Sequence, residues 1–208
     1  MIELLSPAGS PEAIIAAVQN GADAVYMGMG VFNARRGAKN FTDEEFVKAV
    51  RYCHVRGCKV YVTLNTLVND REMRDAVAAA KLASDAGADA LIVQDLGMSY
   101  AIRCALPDIP LHASTQMSLH NLAGIEAAAE MGITRAVLAR ELSFEQIRFI
   151  TKNASIETEV FVHGALCFCH SGQCYMSALI GRRSGNRGLC AQPCRLQYSL
   201  GGRMDDHP

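Results

Sequence analysis

The sequence predicts an α/β protein, a (β/α) TIM-type barrel that is incomplete in this chain, with a Cys-rich loop segment after strand seven. Three observations carry that expectation. Short apolar runs alternate with helix-like stretches seven times, and most of the runs lack in–out alternation, as suits strands covered on both faces of a parallel sheet. Gly21, Gly57, Gly87 and Gly132 each stand where a helix has to stop and turn into a strand. The joints NGADAVYMG at 20–28 and AGADALIVQ at 86–94 read as copies of one βα unit, and such units in series build a parallel sheet. Seven in order favour a barrel over a doubly wound sheet. A full eight-unit barrel takes about 250 residues. The 208 residues therefore predict a barrel cut short at its C-terminal side.

Taken in order, the candidate strands are 3–6, 24–28, 59–65, 90–94, 110–114, 135–140 and 158–163. The helices between them are 10–20, 43–56, 70–86, 96–106, 119–131 and 143–152. Their starts are legible. Ser10-Pro11-Glu12 supplies an N-cap, a proline at the first helical position and an acid in the first turn. Thr42 with Glu45, and Ser143 with Gln146, fit the capping box. Residues 1–164 form the expected barrel scaffold, and 165–208 a Cys/Arg-rich, metal-binding segment at its mouth.

Bulk composition narrows the setting. Half the residues are apolar and a fifth charged, an ordinary globular balance. A net charge of −1 gives no support to nucleic-acid binding by the whole surface, so such a case rests on a local arginine cluster. The N-terminus lacks the basic and apolar regions of a signal peptide, and no apolar stretch reaches the roughly 18 residues of a membrane span. The expectation is a cytoplasmic protein without a membrane partner. In a reducing compartment its eight cysteines read as metal ligands, catalytic groups or small core residues rather than disulfides. Cys53, Cys58 and Cys104, in helical or helix-end contexts, are expected to be packing residues.

In a barrel the chemistry gathers at the C-terminal ends of the strands. That rule marks Asn65, Gln116, Glu141 and His163 as candidate catalytic residues, and Asn33 and Arg35 as candidate substrate contacts. The richest stretch is 159–195. It holds five of the eight cysteines, and from Val160 to Met204 there is no Asp or Glu, while Arg182, Arg183, Arg187, Arg195 and Arg203 all lie there. Guanidinium groups engage phosphates and carboxylates in a bidentate way, so Arg182, Arg183, Arg187 and Arg195 are candidate substrate contacts. Soft donors without carboxylates point to a metal centre beside something anionic. Cys167, Cys174, Cys190 and Cys194 are the candidate ligands. Their spacing is looser than the tight pairs of structural zinc sites and suits an iron–sulfur cluster, while zinc stays open as the alternative.

EVFVHGALC at 159–167 and GQCYMS at 172–177 resemble the signature of the collagenase-like "peptidase" family of unassigned catalytic type. LLSPAGSPEAIIAAVQNGADAVYMG, STQMSLHN and GNRGLCAQPCR resemble the same family, so the likeness covers essentially the whole chain. Well-understood members of that family are 4Fe–4S proteins that support oxygen-independent hydroxylation of a tRNA uridine, a ribosomal RNA cytidine or a ubiquinone-pathway ring. The RNA branches are linked to prephenate as hydroxyl source. The resemblance implies Cys167, Cys174 and Cys190 as three cluster ligands. The fourth falls to Cys194, to Cys169, or to a residue downstream of this chain. The PCR element at 193–195 leans toward the RNA-directed branch, with tRNA or rRNA as partner. A paired family member or a homo-oligomer is a further implied partner, and a cluster- or zinc-binding accessory subunit in quinone-ring hydroxylation is the non-enzymatic alternative.

The family name also raises peptidase activity. A cysteine protease needs a thiolate beside a base that a third group orients. His163, His170, His112 and His120 are present, but the sequence does not fix any of them as such a base. An H-E-x-x-H helix is absent from the sequence. Hydroxylation is the better-supported expectation.

Overall fold

Strand-forming runs and glycine-ended helices translate directly into backbone. The computed structural model describes residues 2–34 and 41–198. Seven strands, β1 (Leu5–Pro7), β2 (Ala24–Gly28), β3 (Lys59–Leu64), β4 (Ala90–Val93), β5 (Leu111–Ala113), β6 (Ile133–Val137) and β7 (Glu157–Glu159), pair in parallel in chain order. Helices α1 (Pro11–Gln19), α2 (Asp43–His54), α3 (Asp70–Asp85), α4 (Leu96–Ala105), α5 (Leu122–Glu130) and α6 (Phe144–Asn153) fill the gaps. The result is a curled, barrel-like sheet.

The expected caps form. Ser10 accepts from the Ala13 N–H, and Thr42 with Glu45 and Ser143 with Gln146 make reciprocal capping boxes. A third box, Asn69 with Glu72, opens α3 and was not anticipated. The four helix-ending glycines all take positive φ, as at Gly87 with φ +95. The repeated GAD joints do equivalent work: Asp23 accepts the Leu4 N–H at 2.8 Å and Asp89 accepts the Val60 N–H at 2.7 Å. Each aspartate thus ties its own strand to the one before it.

The core lies between the sheet and the helices. Val25, Met27, Val60, Val62, Leu64, Leu91 and Val93 are buried against Ile14, Phe46, Met98, Ile102 and Ile125. Helix α3 buries Ala76, Ala80 and Ala83, small residues at helical spacing that let it approach the sheet closely. Cys53 and Cys58 are buried as expected. Burial comes first in pushing the Cys53 thiol up to about 12, so it stays protonated. Cys104 departs from its expected packing role, because its position on α4 faces solvent.

Two strand ends are corrected. The last ladder bond runs from the Leu138 N–H to the Glu159 carbonyl, and at Ala139 the chain turns to the Leu119 carbonyl instead. Residues 160–163 have therefore left the ladder, and Val162 is 85% exposed. The expected strands 135–140 and 158–163 end at Val137 and Glu159. The expected helix 119–131 begins at Leu122, after a 3-10 turn at Thr115–Met117 and a left-handed Ser118. After β7 the chain adds the short α7 (Met176–Gly181) and 3-10 turns at Gly185–Arg187 and Pro193–Arg195.

Candidate functional site

The C-terminal ends of β3, β4 and β5 bring polar side chains into one floor. Asn65 donates to the Ser114 hydroxyl at 3.2 Å and accepts the Ala34 N–H at 2.9 Å. Gln94 donates to the Gln116 carbonyl at 3.3 Å, while its buried Oε1 has no hydrogen-bond partner among the described residues. An acceptor covered by the protein and left unpaired costs about 1–3 kcal/mol.

The cysteine loop folds back onto this floor through residues 170–173. A Cβ on Gly172 would meet the Gln116 carbonyl oxygen at 2.1 Å, and the residue has φ +75, so only glycine allows this approach. The Ser118 hydroxyl donates to the Ser171 carbonyl at 2.6 Å and accepts from Gln173 Nε2 at 3.1 Å. Ser171, fully buried, donates its N–H and its hydroxyl to the two oxygens of Glu141, both at 2.9 Å. Burial pushes the Glu141 carboxyl up, and the Ser171 N–H, His120 and the Ser171 hydroxyl outweigh it, holding the group down at about 2. His120, bonded first to the Ser118 carbonyl and then to Glu141, is shifted upward. Glu141 and Gln116, both marked from sequence, thus act as the landing points of the loop.

The thiols lie on this pinned loop and on the stretch beyond it. All eight cysteines are free; Cys167, Cys190 and Cys194 are exposed, and Cys169 and Cys174 half-buried. Burial opposes ionisation of Cys167, but the Cys169 N–H and the guanidiniums of Arg140 and Arg195 prevail and hold its thiol below the ordinary range. Those donors stabilise a thiolate ligand; none accepts a proton, as a protease base must. Cys190 Sγ accepts the Gln192 N–H at 3.4 Å, and the Ser177 hydroxyl lies 3.9 Å away. Hydrogen bonds to sulfur of this kind tune metal-bound thiolates. The thiols are free and accessible on a carboxylate-poor loop, as cluster ligands must be. Among the described residues, however, no three of them lie within 4.8 Å of one another, so the expected ligands Cys167, Cys174, Cys190 and Cys194 are not gathered around one point.

The remaining expected residues are placed variously. His163 is exposed, four residues past the end of β7. Asn33 is buried, packs beneath Gly28 and donates to the Met29 carbonyl. Arg187 is held by both oxygens of Glu72 and by the Leu67 carbonyl at 3.1 Å, which clamps the segment to the start of α3. Arg195 donates to the Leu166 carbonyl at 2.7 Å. Arg182 and Arg183 are exposed at the end of α7. Arg35 lies outside the described residues, as does Arg203. Ser171 and Ser118 are contributors that sequence reasoning missed as site residues; the cue was their position between cysteines and just past a strand end.

Residues 9–207 match the model of peptidase family U32. The chain is 43% identical over 199 residues to the 23S rRNA 5-hydroxycytidine C2501 synthase of Escherichia coli, which covers 96% of this chain and 30% of that protein. It is 37% identical over 206 residues to the tRNA hydroxylation protein P of Escherichia coli, covering 98% of this chain and 46% of that one. The chain therefore spans about a third to a half of the length of these curated relatives. Among solved structures, the U32 peptidase Mk0906 superposes with a TM-score of 0.65 at 17% identity, over 81% of this chain and 71% of the other, a likeness of fold.

Proposed function

The chain belongs to peptidase family U32, and on that footing we propose that it is the cluster-bearing barrel of an enzyme that hydroxylates an RNA base, a tRNA uridine or an rRNA cytidine. The observation that supports this best is the cysteine loop pinned over a polar floor at the C-terminal ends of the strands, through Gly172 on Gln116 and Ser171 on Glu141. In this reading Cys167, Cys174 and Cys190 hold a 4Fe–4S cluster together with Cys194, Cys169 or a residue beyond this chain. Bound there, such a cluster would supply electron exchange at the barrel mouth.

The protein's own groups do the rest. Arg140 and the Cys169 N–H favour the Cys167 thiolate, and Arg195 adds its charge from beside Leu166. The Asn65 amide, fixed by Ser114 and the Ala34 N–H, offers its second N–H to orient a polar base. Arg182 and Arg183 present charge to RNA phosphates, or to the carboxylates of prephenate as the hydroxyl source. Arg187 has a structural part, since Glu72 neutralises it. The reading places the protein in the cytoplasm, where its RNA substrates are.

The test is nucleoside analysis. Mass spectrometry of tRNA and rRNA from cells with and without the gene should show one hydroxylated pyrimidine lost and then restored by the intact gene, but not by its Cys167→Ala form. An unchanged nucleoside profile in the deletion strain would refute the proposal.

A further inference from the structure

The geometry points to a second, mononuclear metal site, separate from the thiols, in which His120, Glu141 and His170 hold one divalent transition-metal ion, zinc or ferrous iron. One ligand atom from each residue lies within 4.8 Å of the other two. His120 Nε2 is 2.7 Å and His170 Nδ1 3.2 Å from the same oxygen, Glu141 Oε1.

The tautomer supplies the argument. His120 Nδ1 is 2.7 Å from the Ser118 carbonyl oxygen, and a carbonyl only accepts, so Nδ1 carries a hydrogen. The neutral ring then turns a lone pair at Nε2 toward a carboxylate oxygen 2.7 Å away. Two electron-rich atoms at that separation need a cation between them. A proton is one candidate and a metal ion the other. The surroundings favour the metal. A backbone carbonyl on the far nitrogen is how proteins fix a ligating histidine, and the Ser171 hydroxyl on Glu141 Oε2 fixes the carboxylate in the same manner. The second imidazole, on His170, would be redundant beside a proton already shared by His120 and Glu141.

Two imidazoles and one carboxylate form the donor set of zinc sites with an open position and of ferrous facial triads. Ligand atoms at ~2.1 Å from one tetrahedral ion stand roughly 3.4 Å apart. The His170 spacing of 3.2 Å already fits. The His120–Glu141 spacing of 2.7 Å has to open by roughly 0.7 Å, an outward turn of the His120 ring, whose side chain is 35% exposed. His120 also lines a cleft of about 350 Å³ with Asn121, Glu145 and Phe149, so the site has an entry path. The three ligands come from the turn after β5, the exit of β6 and the loop between Cys169 and Cys174. An ion there clasps the cysteine loop to the barrel.

The test uses the full chain with its exposed thiols alkylated by iodoacetamide, which removes the soft donors without refolding. Equilibrium dialysis against zinc, and separately against ferrous iron without oxygen, should find one ion per chain, the tighter of the two naming the metal. Affinity should fall about tenfold or more in His120→Ala and in His170→Ala. Cobalt loaded into the alkylated protein should show d–d absorption without thiolate charge-transfer bands. Failure of the alkylated chain to bind either ion, or unchanged affinity in the folded His170→Ala protein, would overturn the site and leave a proton between His120 and Glu141. The outcome does not depend on whether RNA is the substrate.

Discussion

At the scale of single residues, two populations of cysteine have opposite environments and should respond differently to substitution. Cys167→Ala, Cys174→Ala and Cys190→Ala should each abolish the cluster, measured as acid-labile sulfide and its accompanying iron per chain after purification without oxygen. Cys53→Ala should keep the iron and lose about 1 kcal/mol in a denaturant titration, because its thiol is a buried packing group. Full iron in the Cys174→Ala protein would remove it from the ligand set. The ligand candidates were legible in sequence because cysteine density and missing carboxylates are local features. The partnership of His120, Glu141, His170 and Ser171 was not, since its members are 21 to 53 residues from the groups they bond. Only the folding back of the loop brings them together. Asn33 shows the reverse: a position after β2 suggested a ligand contact, and the structure places the side chain under Gly28.

At the scale of elements, the attachment of the cysteine loop rests on one close approach. Gly172→Ala would drive a methyl group into the Gln116 carbonyl and strain a positive φ, so it should lift the loop from the floor. Limited proteolysis should then cut within 165–175 much faster than in the unaltered protein. Gly21→Ala is the control: its φ is also positive, at +88, but nothing lies within 4 Å of the added Cβ. That change should cost about 1 kcal/mol in stability and leave the loop's proteolysis rate alone. Equal cleavage rates in the Gly172→Ala and unaltered proteins would mean that the loop is held elsewhere. Six helices and seven strands were legible because caps, glycines and apolar runs are written locally. The ends of β6 and β7 were not, because the apolar Val160-Phe161-Val162 continues past the point where its neighbour leaves the ladder.

At the scale of the molecule, a charged network ties the first strand to the last two. Arg135, whose side chain is 11% exposed, bonds Glu3 at 2.6 Å and Glu157 at 2.7 Å and lies 3.6 Å from the half-buried Glu159. Removing it strands carboxylates, so Arg135→Ala should cost about 3 kcal/mol or more. Burial pushes Glu3 up, yet its bonds with Arg135, Lys59 and Tyr61 hold it down at about 2, against an ordinary value of 4.5. A depressed carboxyl stabilises the fold fully above its unfolded value, and the contribution fades as pH falls from about 4.5 through about 2. Glu3→Gln should flatten the stability curve in that window and leave its slope near neutrality unchanged. The central claim, however, is that the barrel mouth carries an iron–sulfur cluster on the pinned cysteine loop. The most direct test is iron together with acid-labile sulfide in the protein purified without oxygen. About four sulfides and at least as many irons per chain are expected. Zinc or iron without any labile sulfide would contradict the claim and make the cysteine segment a structural metal site.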